Sequence, residues 1–225
     1  MSERTPPAAT TGLVPTPFDG LLMTPSAQLP YQADVSVRSF LLARPVGNVL
    51  IYNSPGITTA APDIRRLGAV TRLLVNHAHE SMYGAPRLEV PIFIHERDRA
   101  ETARALPIAG FFTERETIDD GLEVIPTPGH TAGTTSYLWD HGSRRFLFTG
   151  DFIWIEKGDW KAVVLDPSLR DEYLASLALV RELDFDVLVP WGTTHDGLPY
   201  AIADRVERRA RLGAIIARLE AGGNR

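Results

Sequence analysis

Apolar and polar positions follow two different periods along this chain. Short apolar runs between turn residues are typical of strands, whereas apolar residues three or four apart are typical of helices. The prolines of residues 13–36 suggest extended edge structure, and Asn48 and Gly142 lie in the turns of two predicted hairpins, at 45–48 and 140–143. The predicted strands are 37–43, 49–53, 73–75, 90–95, 122–125, 135–139, 145–148 and 186–190.

Helical patterns lie between these runs. One helix is predicted from about Ala61 to Gly68, with Pro62 in its first turn, and residues 96–106 have a helical composition. Another begins at Asp166, as N-cap, and Pro167. Its apolar stripe is Leu169, Tyr173, Leu177 and Val180. A closing helix is predicted from about Tyr200 to Leu219, with Ile202, Val206, Ala210, Gly213 and Ile216 on its apolar side and its arginines in solvent. Strands that alternate with helices predict an α/β protein with mixed sheets.

Composition narrows the class of protein. The 225 residues are 44% hydrophobic and 23% charged, as in ordinary globular proteins. Residues 1–12 are predicted to be a disordered lead-in that lacks a signal core, and 13–225 to be one domain. The net charge of -5 argues against a nucleic-acid partner, and no run reaches the ~20 apolar residues of a membrane span. A cytoplasmic location is the expectation. The absence of cysteine excludes disulfides and thiolate ligands.

Two histidines stand at the end of one apolar run. His77 and His79 follow Leu73–Val75. Residues two apart on an extended segment point the same way, so both imidazoles can converge on one point. Histidine is the commonest metal ligand, and a pair of imidazoles with a third ligand is a usual zinc or iron site.

Two later stretches offer further ligands. His130 stands in the glycine-bounded turn Thr127-Pro128-Gly129-His130-Thr131-Ala132-Gly133, between two predicted strands. Asp151 ends the strand-like stretch Phe146-Leu147-Phe148-Thr149-Gly150-Asp151. A nitrogen and oxygen ligand set of this kind suits a divalent cation.

Together the three stretches resemble the metallo-β-lactamase fold superfamily, which includes glyoxalase II and the persulfide dioxygenases. The resemblance extends from about residue 39 to residue 190. It implies a four-layer αββα sandwich of two mixed β-sheets, with the site at the strand ends between the sheets. It also assigns His77, His79 and His130 to the first metal position, with Asp151 bridging to a second metal.

The second half of the superfamily motif, H-x-H-x-D-H, is missing. Ser81 and Met82 occupy the positions of its aspartate and last histidine. Glu80 is one residue early, and on an extended segment it would face the opposite side. In the loop 191–198, Trp191 or Gly192 takes the place of another histidine, and His195 follows later as a possible substrate-facing residue.

The prediction is therefore one divalent metal ion, with zinc as the first choice and iron or manganese as alternatives. The leading hypothesis is a hydrolase of a small ester, thioester or lactone, with Asp151, Ser81 and His195 as catalytic candidates. A mononuclear iron enzyme resembling the persulfide dioxygenases, and a non-catalytic scaffold, are the alternatives. The partner is a small-molecule substrate, and the oligomeric state stays open.

Nearby aromatic residues have two interpretations. They either wall an apolar substrate pocket or fill the core, and core is the more common role for any one of them. Residues 156–159 between two of the tryptophans are a candidate flap. The aromatic residues are Tyr83, Phe152, Trp154, Trp160 and Trp191.

Overall fold

Two large mixed sheets pack face to face, and helices cover their outer surfaces. The computed structural model describes residues 12–119, 121–195 and 197–225. The predicted lead-in, apart from Gly12, lies outside the described residues. Within the described residues, no helix is both long and apolar enough to span a membrane.

The strands, numbered in chain order, form three sheets. The first has the order β1-β2-β5-β6-β7-β8-β9, and its strands are Val14–Pro15, Leu21–Met23, Phe40–Leu42, Asn48–Ile51, Val70–Leu74, Ile92–His95 and Ile108–Phe112. The second has the order β10-β11-β12-β13-β16-β18, with strands Glu116–Asp119, Leu122–Pro126, Thr135–Asp140, Arg145–Gly150, Val187–Pro190 and Ala201–Ile202. The third has the order β15-β14-β17-β4-β3, with strands Asp159–Lys161, Trp154–Glu156, Gly192–Thr194, Gln32–Val37 and Ala27–Leu29.

The helices cover the two large sheets from outside. The α-helices are α1, Pro55–Arg66; α2, Arg99–Thr102; α3, Arg170–Glu182; and α4, Arg205–Glu220. Three 3-10 segments are Ala78–Tyr83, Glu96–Asp98 and Pro167–Leu169.

Alternation along the strands creates three apolar layers. In β13, Phe146 and Phe148 point into the core between the large sheets, whereas Leu147 packs with α3 and α4. In β6, Leu50 points the other way, toward α1. Successive side chains of a strand face opposite sides, so each large sheet is buried on both faces. The expected four-layer αββα architecture of mixed sheets is confirmed.

The third sheet connects the two large ones near the predicted site. Val37 ends β4, and the chain enters the first large sheet at Phe40. Pro190 ends β16 of the second large sheet, and β17 begins at Gly192. The prediction that 191–198 is a loop is therefore wrong for Gly192–Thr194, which pairs with β4 and contacts β14.

The first helix begins earlier than the pattern predicts. It starts at Pro55, a residue favoured at the first helical position, so Pro62 lies inside it rather than in its first turn. Ile57, Ala60 and Ile64 are buried against the first large sheet. The burial of these apolar residues offsets the hydrogen bond that Pro62 cannot donate.

The predicted apolar face of the last helix is also wrong. Val206 is 79% exposed and Ile202 is 55% exposed. Leu212, Ile215 and Leu219 are buried instead, because they present larger apolar side chains to the second large sheet and α3. Arg208 joins this buried face. Its guanidinium donates to Asp184 and lies 4.7 Å from the centre of the Phe185 ring.

Candidate metal centre

Two histidines extend from the end of β7. His77 has an extended backbone and caps the 3-10 helix Ala78–Tyr83, in which His79 lies. The sequence predicts an extended segment here, and that prediction is wrong from Ala78 onward. The two rings still meet, with their centres 5.2 Å apart.

His130 comes from the turn between β11 and β12 in the other large sheet. Its ring centre lies 5.0 Å from the ring centres of both His77 and His79. His79 Nδ1 and His130 Nε2 are 3.1 Å apart. One nitrogen of each ring lies within 4.8 Å of the other two, a grouping that suits a metal ion.

Asp151 follows β13 and lies beside two of these rings. Its Oδ2 atom is 3.6 Å from His77 Nε2 and 3.8 Å from His130 Nε2. Its side chain is 19% exposed, so the carboxylate borders the pocket as well as the histidines. The structure thus brings together the four residues that the sequence proposes as ligands.

The histidine nitrogens fit a bound cation. Within the part of the chain that the structure describes, neither nitrogen of the His77 ring has a hydrogen-bond partner, although the ring is completely buried. Unpaired polar atoms are rare in protein interiors, and a missing ion is one explanation for them. His77, His79 and His130 could therefore hold a divalent metal, with Asp151 within reach.

The charges of the metal-free site favour the positively charged imidazolium form of His77. Burial alone would lower its pKa, but the carboxylates of Asp151 and Glu80 raise the pKa of His77 to about 10. Burial and then the charge of His77 lower the pKa of His79, and the same causes lower the pKa of His130 to about 3. Two of the three rings are thus neutral near pH 7, as metal ligands must be.

The carboxyl groups on either side of His77 differ. Although burial works against it, pairing with His77 holds the pKa of Asp151 below its ordinary value. Burial raises the pKa of Glu80, which is completely enclosed. Asp151, which borders the pocket, is therefore the stronger acid of the two.

Glu80 takes neither the place nor the role of the motif aspartate. Its Oε1 atom lies 3.4 Å from His77 Nδ1, the ring nitrogen opposite the one near Asp151. It also accepts backbone N–H bonds from Asn53, at 2.5 Å, and Asn76, at 2.8 Å. Glu80 therefore supports His77 from behind. The sequence does not predict this role, because residues 78–83 form a 3-10 helix rather than the expected extended segment.

The positions of the missing motif residues are occupied differently. Ser81 is buried and is not among the residues that line the pocket beside the histidines. Met82 is 43% exposed and does line that pocket.

Trp191 fills space beside His77. It is 1% exposed, its ring centre is 5.3 Å from that of His77, and its indole N–H donates to the carbonyl of Asn53 at 3.0 Å. Tyr83 packs on its other side, with ring centres 6.0 Å apart. A large buried ring thus stands at 191, one of the two positions at which the resemblance places a histidine.

A pocket of about 470 Å³ opens beside His79, His130 and Asp151. Its wall is mainly apolar. Among the described residues, Arg225 is the positively charged side chain of this wall, and it pairs with Glu156 and lies over the Trp154 ring. The other lining residues are Leu29, Tyr31, Gln32, Val35, Val37, Met82, Val163, Leu165 and Gly192. Of the aromatic candidates, Trp154 lines this pocket, whereas Phe152 and Trp160 belong to the core around α3 and α4.

His195 does not reach the histidine cluster. Its backbone N–H bonds the carbonyl of Asp34, which holds it at the end of the β17–β4 pair, and its ring lies 2.5 Å from Ser36 Oγ. It lines a different pocket, of about 1080 Å³, together with Lys157 and Gly158 of the predicted flap. The bonds to Asp34 and Ser36 therefore place this side chain at the second pocket.

Two residues that support the centre, Asp98 and Asn76, are not predicted from the sequence. Asp98 accepts hydrogen bonds from both histidine-bearing loops, and the Asn76 backbone and side chain bond Thr135. For Asp98, the strand order gives a signal that could have found it. Asp98 follows β8, which pairs in parallel with β7, so both strands end at the same edge of the sheet.

Sequence comparison identifies the family. Residues 60–192 match the metallo-beta-lactamase superfamily, and this region includes all three histidines and Asp151. The chain belongs to the metallo-beta-lactamase superfamily. No curated protein matches it significantly.

Solved structures of superfamily members share its fold. The metallo-beta-lactamase DIM-1 is 14% identical with a TM-score of 0.66, over 94% of this chain and 98% of that one. GOB-18 from Elizabethkingia meningoseptica is 17% identical with a TM-score of 0.59, over 84% and 88%. The class B3 di-zinc enzyme LRA-12 from an Alaskan soil metagenome is 15% identical with a TM-score of 0.57, over 90% of each chain. The TM-scores establish a common fold, whereas identities this low do not establish a common substrate.

Proposed function

We propose that this superfamily member is a hydrolase that uses one divalent metal ion to cleave a small ester, thioester or lactone. The observation that carries the proposal is the convergence of three imidazoles, two of them buried and the third half-buried, within 4.8 Å. Among the described residues, both ring nitrogens of His77 and Nδ1 of His130 are buried without a hydrogen-bond partner, and a bound cation would satisfy such atoms.

Zinc is the metal that the donor set favours. His77, His79 and His130 offer nitrogen, and three histidines are a common protein ligand set of catalytic zinc. When bound, such an ion lowers the pKa of a water molecule to about 7 and polarises a carbonyl group.

A single ion fits the surroundings better than a pair. Ser81, Met82 and Trp191 stand at positions that the resemblance gives to second-metal ligands. Ser81 is buried, and the Trp191 ring packs against His77. The thioether of Met82 prefers softer ions. The di-zinc description of LRA-12 is therefore not carried over to this chain.

The pocket supports a small and largely uncharged substrate. Leu29, Val35, Val37 and Met82 are among its apolar lining residues, and the charge of Arg225 is offset by its ion pair with Glu156. An acyl chain can lie against this apolar wall while its carbonyl group approaches the histidines. Pockets of this size enclose small molecules.

Asp151 is the chain's own group for proton transfer or for metal binding. It is the ionised carboxylate at the boundary between the pocket and the histidines. As a base, it would take the proton from the attacking water. As a ligand, it would complete the coordination of the ion.

Asp151 also gives a reason to keep the iron oxygenase as a second candidate. Its Oδ2 atom is within 4 Å of both His77 and His130, and a set of two histidines and one carboxylate is typical of non-haem iron oxygenases. The close approach of His79 to His130 favours three nitrogen ligands instead.

Metal analysis and a histidine variant test the proposal. Protein purified without a nickel column should contain about one zinc per chain and hydrolyse members of a panel of aryl esters, thioesters and lactones. His79→Ala should lose both properties. His141→Ala, a histidine in the hairpin between β12 and β13 that contacts Trp139, is the matched control and should keep both.

The other outcomes distinguish the alternatives. Bound iron with oxygen uptake on glutathione persulfide would replace the hydrolase with the oxygenase. No bound metal, with no rise of the melting temperature when zinc is added, would favour a non-catalytic scaffold, since a ligand that binds the native state must stabilise it. Full hydrolysis by His79→Ala would refute the proposed site.

A further inference from the structure

A buried carboxylate joins the two loops that carry the histidines. Asp98 is 5% exposed. Its Oδ2 atom accepts the backbone N–H of Ala78 at 2.8 Å and the hydroxyl of Thr131 at 2.6 Å. Its Oδ1 atom accepts the backbone N–H of Gly133 at 2.7 Å. Each donor is within three residues of His79 or His130 in sequence.

These donors come from opposite sides of the sandwich. Ala78 follows β7 of the first large sheet, whereas Thr131 and Gly133 lie between β11 and β12 of the second. Hydrogen bonds to an ionised acceptor are shorter and stronger than neutral ones. The carboxylate therefore holds one loop against the other where the histidines meet.

Asp98 is itself held firmly. It ends the 3-10 helix that follows β8, and its carbonyl accepts the hydroxyl of Thr102 at 2.9 Å. The Gly133 backbone packs so closely that a Cβ atom there would lie 2.6 Å from Asp98 Cγ. Neither partner can shift without displacing the other.

We propose that Asp98 is the positioning residue of the metal centre, setting the separation of His79 from His130. This inference rests on the metal-binding part of the proposed function and not on the hydrolytic part. The 3.1 Å distance between His79 Nδ1 and His130 Nε2 depends on two loops that share the Asp98 carboxylate. Residues that orient metal ligands typically contribute about 10-fold to 100-fold in metal affinity.

Substitutions at both ends of one bond test the role. Asp98→Asn presents an amide N–H₂ to donors. Thr131→Val removes one donor while keeping the side-chain shape, and it also removes the contact with Thr134 Oγ1. Thr131→Ser restores the hydroxyl. The matched control is Asp166→Asn, since Asp166 is exposed and its carboxylate accepts the Ser168 N–H at 2.8 Å rather than a donor from either histidine-bearing loop.

The readouts are the zinc dissociation constant, measured by competition with a chromophoric chelator, the visible spectrum of the cobalt(II) form, and the melting temperature of the metal-free protein. Asp98→Asn and Thr131→Val should weaken zinc binding by about 10-fold to 100-fold and change the cobalt spectrum. Thr131→Ser and Asp166→Asn should match the wild type.

Unchanged zinc affinity and cobalt spectrum in both Asp98→Asn and Thr131→Val would overturn the proposal, even if the metal-free melting temperature falls. If Asp98→Asn does not fold, Thr131→Val with its serine rescue decides alone. Absence of metal binding by the wild type would overturn this inference and the proposed function together. Metal binding without hydrolysis would overturn the function alone.

Discussion

Replacing Glu80 with glutamine tests whether the acid behind His77 stabilises the fold as well as the site. Glu80 is completely buried, and its two oxygens accept the backbone N–H groups of Asn53 and Asn76. The amide of glutamine can accept from one of these donors, but it turns an N–H₂ group toward the other. One buried donor is then unsatisfied.

The magnitude follows from these contacts. An unsatisfied buried donor costs about 1–3 kcal/mol. The ion pair with His77, at 3.4 Å, is also lost, but His77 keeps Asp151 at 3.6 Å, so the further cost stays below the ~3–5 kcal/mol of a fully broken buried pair. Glu80→Gln should therefore lower the free energy of unfolding by about 2–4 kcal/mol.

Urea unfolding of the metal-free protein, followed by far-ultraviolet circular dichroism, measures the effect. The matched control is Glu123→Gln, since Glu123 pairs with Arg115 at the surface, where such pairs contribute about 0–1 kcal/mol. Equal unfolding free energies for Glu80→Gln and the wild type, within about 0.5 kcal/mol, would refute the reasoning that Glu80 satisfies these donors.

Three further predictions concern the pocket and the end of β13 before Asp151. Asp151→Asn should lower the catalytic rate by at least about 100-fold, and zinc analysis of the variant separates a base, which leaves the metal in place, from a ligand, which does not. Met82→Ala should raise KM for an apolar ester by about 5-fold to 30-fold, from ~1–2 kcal/mol of lost apolar contact, with an unchanged melting temperature because the side chain is 43% exposed. Gly150→Ala should destabilise the protein by about 2 kcal/mol or more in urea unfolding, because Gly150 has a φ of +56° and an added Cβ would lie 1.8 Å from Asn76 Oδ1; an unchanged midpoint would contradict this.

The sequence predicts the parts of this molecule in which local pattern and burial agree. The strand before His77 is a short apolar run, and the hairpin of β12 and β13 has a turn between two alternating segments. Both are found where expected. The His77, His79 and His130 cluster could also be predicted, because each histidine directly follows or lies between predicted strands.

The failures occur where several packings satisfy the same pattern. The closing helix carries two apolar stripes, and only contact with α3 and the second sheet selects the one with Leu212 and Leu219. The pairing of Gly192–Thr194 with β4 joins residues more than 150 positions apart, so no local signal predicts it. The same holds for Asp98, whose three donors lie 20 to 35 residues away.

The altered half of the motif is part of a connected structure around His77. The Trp191 indole N–H bonds the Asn53 carbonyl, and the Asn53 side chain donates to the carbonyls of Glu80 and Gly84, each at 3.0 Å. Glu80 in turn accepts the Asn53 N–H and faces His77. A site that had merely lost its ligands would be left with unpaired polar groups or a cavity, both of which are costly. Here Trp191, Asn53 and Glu80 are buried and connected by hydrogen bonds, so they form a rigid support for His77.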